Sequence, residues 1–372
     1  MIRNILFVLL FTLNCYSVKN QIANYILNDI QSDVKVTTRL IYNQNTPTDW
    51  QVMSSIGNTL TFPKITRYLN FTPLIEFTHQ ARHINTQSSI TRLSQFHVNQ
   101  EMSWGILSVG RKRLSFHNGQ FISDSKFNFT PRVFNQFSFN SSDYNFRFFT
   151  LFSYLNSGSE TTHHFKKGGY IFEITPYQHL SLATFILEDI GDTYFISTQS
   201  ELFSASLGLQ KTPSIQSKQS SLTKQSYYYD FDYNIYSTDA KLTIGSRFFS
   251  GSTDVYGQFI APFSSGHSWD GYSNIFQPNI IHGFSEDFRS FKLSFQTQLE
   301  SKQSIGVHGY LFRNGTLTKD LGSEINLVVS QPLISNSIYW RYKLSQYIRG
   351  QQSIHPSELN MWLDFSIDLS HQ

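Results

Sequence analysis

Residues 227 to 236 read YYYDFDYNIY, and their side chains sort by parity. Tyr227, Tyr229, Phe231, Tyr233 and Ile235 take the odd positions, while Asp230, Asp232 and Asn234 take three of the even ones. A period of two puts alternate residues on opposite faces of an extended strand, so this segment has one greasy face and one wet face. The alternation recurs along the chain. Tyr144, Phe146, Phe148, Phe152 and Tyr154 alternate with Asn145, Arg147 and Ser153, although Phe149 and Leu151 interrupt the polar face. Leu242, Ile244 and Phe248 oppose Lys241, Thr243 and Arg247; Phe291, Leu293 and Phe295 oppose Lys292, Ser294 and Gln296. Trp340, Tyr342 and Leu344 oppose Arg341, Lys343 and Ser345, and Leu359, Met361, Leu363, Phe365, Ile367 and Leu369 oppose Asn360, Asp364, Ser366 and Asp368.

Composition decides what solvent the greasy faces meet. Aromatic residues make up 16% of the chain and charged residues only 15%, against roughly 25% charged in an average soluble protein. Mean hydropathy is −0.28, and past the first twenty residues there is no apolar run of the roughly 20 needed for a membrane helix. A soluble β-sandwich also alternates, but its strands are usually shorter and its buried face rarely holds so many tyrosines. In hydrocarbon every backbone N–H and C=O must be paired, which admits a sheet only if it closes on itself. With roughly 20 residues per strand and turn, the expectation is one all-β, transmembrane antiparallel β-barrel of about 18 strands, with 16 as the alternative. Turn-rich tracts at 156–164, 211–221 and 263–271 separate the strands, and no linker marks a second domain.

The first residues, MIRNILFVLLFTLNCYSVKN, place Arg3 before the apolar run Ile5 to Leu13, the pattern of a secretory signal peptide. Cleavage after Ser17 makes residues 1–17 the signal and 18–372 the barrel, and removes the sole cysteine, Cys15. Asn14 stands where a lipoprotein needs a small residue. Losing Arg3 lowers the formal charge from +3 to +2, too small to suggest a nucleic-acid partner. The expected location is the outer membrane of a Gram-negative bacterium, with its lipid as the surrounding partner.

The lumen set is then Arg147, Lys241, Arg247, Lys292, Arg341 and Lys343, opposed by Asp230, Asp232, Glu324, Asp364 and Asp368. Fixed cations in a constriction attract anions, since charges closer than about 8 Å are not fully screened by physiological salt. Arg111, Lys112 and Arg113 pose a register problem: Leu107 and Val109 share the parity of Arg111, while Leu114 and Phe116 have the opposite one. A bulge or turn between them is expected. If the shift precedes Arg111, both Arg111 and Arg113 face the pore; otherwise Arg113 snorkels at an interface.

Three patches resemble the alginate-export family of outer-membrane barrels. VGRKRLSFHNGQFI at 109–122 with PRVFNQF at 131–137 resembles its early signature, FFSGSTDVYGQFIAPFSSGHSWDGYSNIF at 248–276 its Ser-Gly loop, and KDLGSEINLVVS at 319–330 with YKLSQYIRG at 342–350 its late motif. The resemblance implies a barrel of about 18 strands whose basic pore guides an acidic polysaccharide or another small anion. Matched residue by residue, it implies roles for Arg111, Arg132, His267, Gly271, Phe276, Gly322 and Glu324. Gln120, Asn135, Asn274 and Asn326 stand where the family pattern carries charge, which thins the implied ion-pair network.

Other chemistry is sparse. His163 and His164 are adjacent in an expected loop, and a strand would point them to opposite sides of any metal. EDIGD at 188–192 lacks EF-hand spacing. His267, Ser268 and Asp270 have the residue types of a hydrolase triad but no G-x-S-x-G elbow. Neither a phosphate loop, a CxxC pair nor an HExxH motif occurs. The expected protein is a passive, non-enzymatic channel without cofactor, passing anionic sugars, oligosaccharides or small acids. A non-selective or plugged structural barrel is the alternative.

Overall fold

The computed structural model describes residues 31–44, 50–61, 71–83, 89–116, 121–124, 132–142, 145–155, 162–187, 191–212, 224–253, 258–261, 263, 272, 276, 284–300, 302–334 and 338–368. The expected signal peptide, His267, Gly271, Gln120, Asn274 and Leu369 lie outside the described residues. Eighteen strands are present among those described: β1 (Gln31–Asn43), β2 (Trp50–Thr61), β3 (Phe71–His83), β4 (Ser89–Met102), β5 (Gly105–Lys112), β6 (Val133–Ser141), β7 (Phe146–Leu155), β8 (Thr162–Tyr177) and β9 (Leu180–Leu187). They continue with β10 (Gly191–Gln199), β11 (Phe203–Thr212), β12 (Lys224–Tyr236), β13 (Ala240–Phe249), β14 (Phe288–Gln298), β15 (Ser304–Asn314), β16 (Asp320–Ile334), β17 (Ile338–Arg349) and β18 (Glu358–Asp368).

Every strand pairs antiparallel with its successor. β18 pairs back onto β1, from Lys35↔Asp368 to Asn43↔Asn360, so the ladder closes and no edge is left. Side chains reinforce that seam. Arg39 Nε donates to Asp364 Oδ1 at 2.6 Å and Arg39 Nη2 donates to Asp364 Oδ2 at 3.0 Å, a two-point ion pair across register partners.

The parity read from the sequence holds in the strands. On β14, Leu293 and Phe295 are 57% and 44% exposed on the outside, whereas Ser290 and Ser294 are each 3% exposed inside. On β12, Tyr227, Phe231, Tyr233 and Ile235 are exposed and Asp230 is buried. Outer aromatics gather at the ends of strands: Trp104, Phe139, Phe146 and Phe172 form a chain of ring contacts 4.7, 6.1 and 4.8 Å apart, as an interfacial girdle requires.

The two ends of the barrel differ. Residues 103–104, 178–179, 200–202, 237–239 and 299–303 make short connections at one end, while 113–132 and 250–287 make long ones at the other. Short turns mark the periplasmic end of such barrels and long loops the outer end.

The long loops fold inward. Ile122 bridges Phe116 antiparallel and Phe263 in parallel, and the Ser123 N–H donates to the Phe263 carbonyl at 2.8 Å. Around them Phe116, Phe121, Phe259, Phe263 and Phe276 meet inward-facing Phe134, Phe149, Leu151, Phe185, Phe288 and Phe312 in one buried apolar cluster. This resolves the register problem at 107–116. Leu114 and Phe116 are inward because the lumen there is dry, so no pleat shift separates them from Val109. Phe149 and Leu151 have the same explanation.

Bulges do occur elsewhere. Irregularities at Asn135/Gln136 and Leu151/Ser153 leave Phe152 outside at 52% exposure but turn Tyr154 inward against Phe134 and Phe263, contrary to its sequence parity. His163 and His164 sit in β8 and not in a loop; the His163 ring stacks on Tyr154 at 5.0 Å.

The Arg39–Asp364 pair gives a stability test. Arg39→Ala strands a carboxylate, and it should destabilise the barrel by about 2 kcal/mol, less than the roughly 3–5 kcal/mol of a dry pair because the site borders a wet cavity. Heat-induced loss of the compact gel band should come at lower temperature, and Arg39→Ala with Asp364→Ala should recover part of the loss. An unchanged transition in the single variant would show that the seam does not depend on this pair.

Candidate functional site

Inward polar residues towards the short-turn end leave open space that the loops do not fill. A vestibule of ≈ 950 Å³ is lined by Arg39, Lys241, Arg341, Lys343, Tyr272 and His308, with Asp124 and Asp239. A side cavity of ≈ 370 Å³ holds Arg147, Glu173 and Asp230 among serines and glutamines, and another of ≈ 400 Å³ holds Asp232, Lys292, Asn234 and Ser294. Tyr236, Lys241, Tyr272 and His308 border both the vestibule and the last of these, so the two are continuous.

Within this space most charges are paired. Lys292 Nζ lies 2.6 Å from Asp232 Oδ2. Arg147 pairs with Glu173, which also accepts from Ser181 Oγ at 2.7 Å, and the Arg147 guanidinium lies 5.0 Å from the Phe116 ring centre. Arg247 and Asp230 are register partners on β13 and β12, both buried. Glu324 accepts from Ser345 Oγ at 2.9 Å between the register partners Tyr310 and Tyr347.

The vestibule is different. Arg341 lies 5.8 Å from the Tyr339 ring centre and Lys241 lies 5.5 Å from that of Tyr236; among the described residues no carboxylate reaches ion-pair distance of either. Lys343 Nζ is 5.3 Å from the Tyr272 ring. Tyr272, from the long second loop, also meets Trp362 and His308 edge-on at 6.4 and 6.2 Å. Burial raises the Tyr272 phenol above its ordinary value, Arg341 opposing and Glu324 reinforcing, so it stays a neutral hydroxyl at physiological pH. Cation–ring contacts hold a charge in place without neutralising it, and Lys241, Arg341 and Lys343 outnumber Asp124 and Asp239 in the lining.

Of the residues named from the sequence, Arg147, Lys241, Arg247, Lys292, Glu324, Arg341 and Lys343 all face inward. Arg111 does not. It is the register partner of the exposed Phe96 and of Asn135, to whose Oδ1 its Nε donates at 3.0 Å, on the outer face. Arg113 lies past the end of β5, half-buried, with its amide N–H donating to Gln95 Oε1 at 3.1 Å. Arg132 belongs to the aromatic core: its guanidinium is 5.4 Å from the Phe263 ring, its N–H donates to the Asp124 carbonyl at 2.8 Å, and burial lowers its pKa to about 10, against the opposing effect of Tyr154. It remains charged at neutral pH.

Three features escaped the sequence reading. Arg39 lines the vestibule, but its strand alternates weakly. Gln210 is fully buried and clamps the second loop, its Nε2 donating to the Ile260 carbonyl at 2.9 Å and its Oε1 accepting from the Ile260 N–H at 2.8 Å. The aromatic filling of the lumen was signalled by Leu114, Phe116, Phe149 and Leu151, apolar residues on the wet parity.

No family model matches the chain, and no curated protein matches it. Solved structures do. The chain is similar to Pseudomonas aeruginosa OccK2 (OpdF) at 13% identity, with a TM-score of 0.69 over 93% of this chain and 99% of that one. It is similar to P. aeruginosa OpdO at 13% identity and TM-score 0.69, covering 92% and 97%, and to P. aeruginosa OpdK, solved with vanillate, at 13% and 0.67, covering 92% and 99%. The fold is that of a porin-type outer-membrane barrel. At these identities the likeness establishes architecture alone. The resemblance to the alginate-export family finds no support among these structures and is corrected to that broader class.

Gln210→Leu removes both clamps on Ile260, which should cost about 1–3 kcal/mol and loosen the second loop. Single-channel recording should show larger or noisier conductance than the wild type; indistinguishable traces would mean that Gln210 does not hold the loop in place.

Proposed function

We propose that the protein is a passive, non-enzymatic channel of the Gram-negative outer membrane that favours small acidic solutes, sugar acids and other carboxylates among them. The observation that carries this reading is the vestibule, where Lys241 and Arg341 line open space beside aromatic rings and, among the described residues, outside ion-pair distance of any carboxylate. Such a field lowers the barrier for an anion to enter, while the absence of a closed coordination shell lets it leave. OpdK, of similar architecture, was solved with vanillate, itself a carboxylate, which supports the solute class.

A second reading is a plugged barrel, and the aromatic core formed by both long loops favours it. Planar-bilayer recording separates the two. Under the channel reading the wild type passes steady current with a reversal potential displaced towards that of chloride, and Arg341→Gln combined with Lys241→Gln shrinks that displacement severalfold. An ion preference untouched by the double substitution would contradict the selective vestibule, and no current at all would favour the plug.

A further inference from the structure

We propose that the outer surface carries a site for a phosphate-bearing lipid headgroup, centred on Arg289 and Arg313 at the long-loop end of β14 and β15. The site lies on the opposite face of the sheet from the vestibule and does not depend on the solute reading.

Parity fixes its position. Arg289 shares the outward face of β14 with Leu293 and Phe295, and Arg313 that of β15 with Val307 and Leu311, all of them exposed apolar residues. From Arg289 to the exposed Leu299 beyond the far end of β14 the chain rises about 33 Å at ~3.3 Å per residue. A strand tilt of ~35–45° reduces this to about 25 Å along the membrane normal, the height of the apolar band. Arg289 and Arg313 therefore stand at the rim of that band on the side of the long loops, where headgroups lie.

Neighbours explain why a ligand is needed. One row of register partners crosses the outer face: Tyr229, Phe248, Arg289, Arg313 and Asp320. Tyr229 and Phe248 are stacked, 5.4 Å apart with 12° between planes. The Arg289 guanidinium carbon lies 6.0 and 5.6 Å from their centres. Rings attract the cation but accept no in-plane hydrogen bond, and the buried Arg289 Nε–H has no acceptor among the described residues. On its other side stands a second arginine, and like charges directly opposite on neighbouring strands destabilise a sheet. Among the described residues Asp320 forms its ion pair with Arg313 and not with Arg289, so the row retains one positive charge. A phosphate oxygen pair fits this arrangement: it accepts from a guanidinium fork two bonds at a time and carries the charge that the row lacks. Cationic clusters at the edge of a spanning segment hold lipid headgroups through the same chemistry.

The test uses the full-length protein in detergent with phosphatidic acid as probe, and diacylglycerol of the same acyl chains as its phosphate-free counterpart. Native mass spectrometry should show phosphatidic acid retained on the wild type and diacylglycerol not. Arg289→Gln should reduce retention about fivefold, as expected for losing one interfacial cation. Arg289→Lys, which keeps the charge without the fork and preserves the test should the glutamine variant fail to fold, should fall between. Lys302→Gln, in the short turn at the opposite end, should match the wild type. Retention unaffected by Arg289→Gln, or equal retention of diacylglycerol, would overturn the proposal. Inorganic phosphate at millimolar concentration should not displace the lipid; displacement would make this a free-anion site and overturn it as well.

Discussion

A peptide group left unpaired in hydrocarbon costs several kcal/mol, and the rest of this architecture follows from avoiding that cost. Antiparallel strands satisfy one another, but a sheet with an edge cannot enter the bilayer. The chain meets the condition by returning β18 to β1, and it secures the return with the Arg39–Asp364 pair. Once the cylinder is closed, each strand has only two environments to offer. Alternate side chains then sort into lipid or lumen, and a one-residue slip would put Lys292 or Arg247 into the membrane.

The interior is itself divided. Towards the short turns it is polar, with ion pairs built from neighbouring strands and a vestibule in which cations face rings. Towards the long loops it is an aromatic core, in which Phe116, Phe121, Ile122, Phe259, Ile260 and Phe263 pack on phenylalanines of the wall. Two different physical principles thus act within one cylinder: ion pairs and hydrogen bonds between polar side chains at one end and apolar burial at the other. Among the polar contacts of the described loop residues are those of Gln210 with Ile260 and of Ser123 with Phe263. Gly322, at a φ of 130° with Ile348 O only 2.5 Å from where a Cβ would stand, lets the wall approach closely beside Tyr347.

Much of this was legible in the sequence, because a barrel writes its geometry as a period of two. The inward direction of Arg147, Lys241, Lys292, Arg341 and Lys343 follows from parity, closure of the barrel from the need to pair every peptide group in lipid, and the strand number from the length of one strand and turn. Parity misleads where the lumen is dry or the pleat is broken. Leu114 and Phe116 look like evidence of a register shift and are instead contacts with the inner core. Tyr154 looks lipid-facing and is turned inward by a bulge, while Arg111 keeps its parity and lies outside. Pairings between distant strands, such as Arg39 with Asp364, leave no local trace in the chain.

Residues of opposite parity see water and lipid respectively around a sealed cylinder. Single cysteines in a Cys15-free background test it directly, with a membrane-impermeant thiol reagent applied to outer-membrane fragments accessible from both sides. Labelling should be rapid at Ser204→Cys and Gln296→Cys, which border the internal cavities, and absent at Leu207→Cys and Leu293→Cys on the outer face. Equal labelling at all four positions would contradict it.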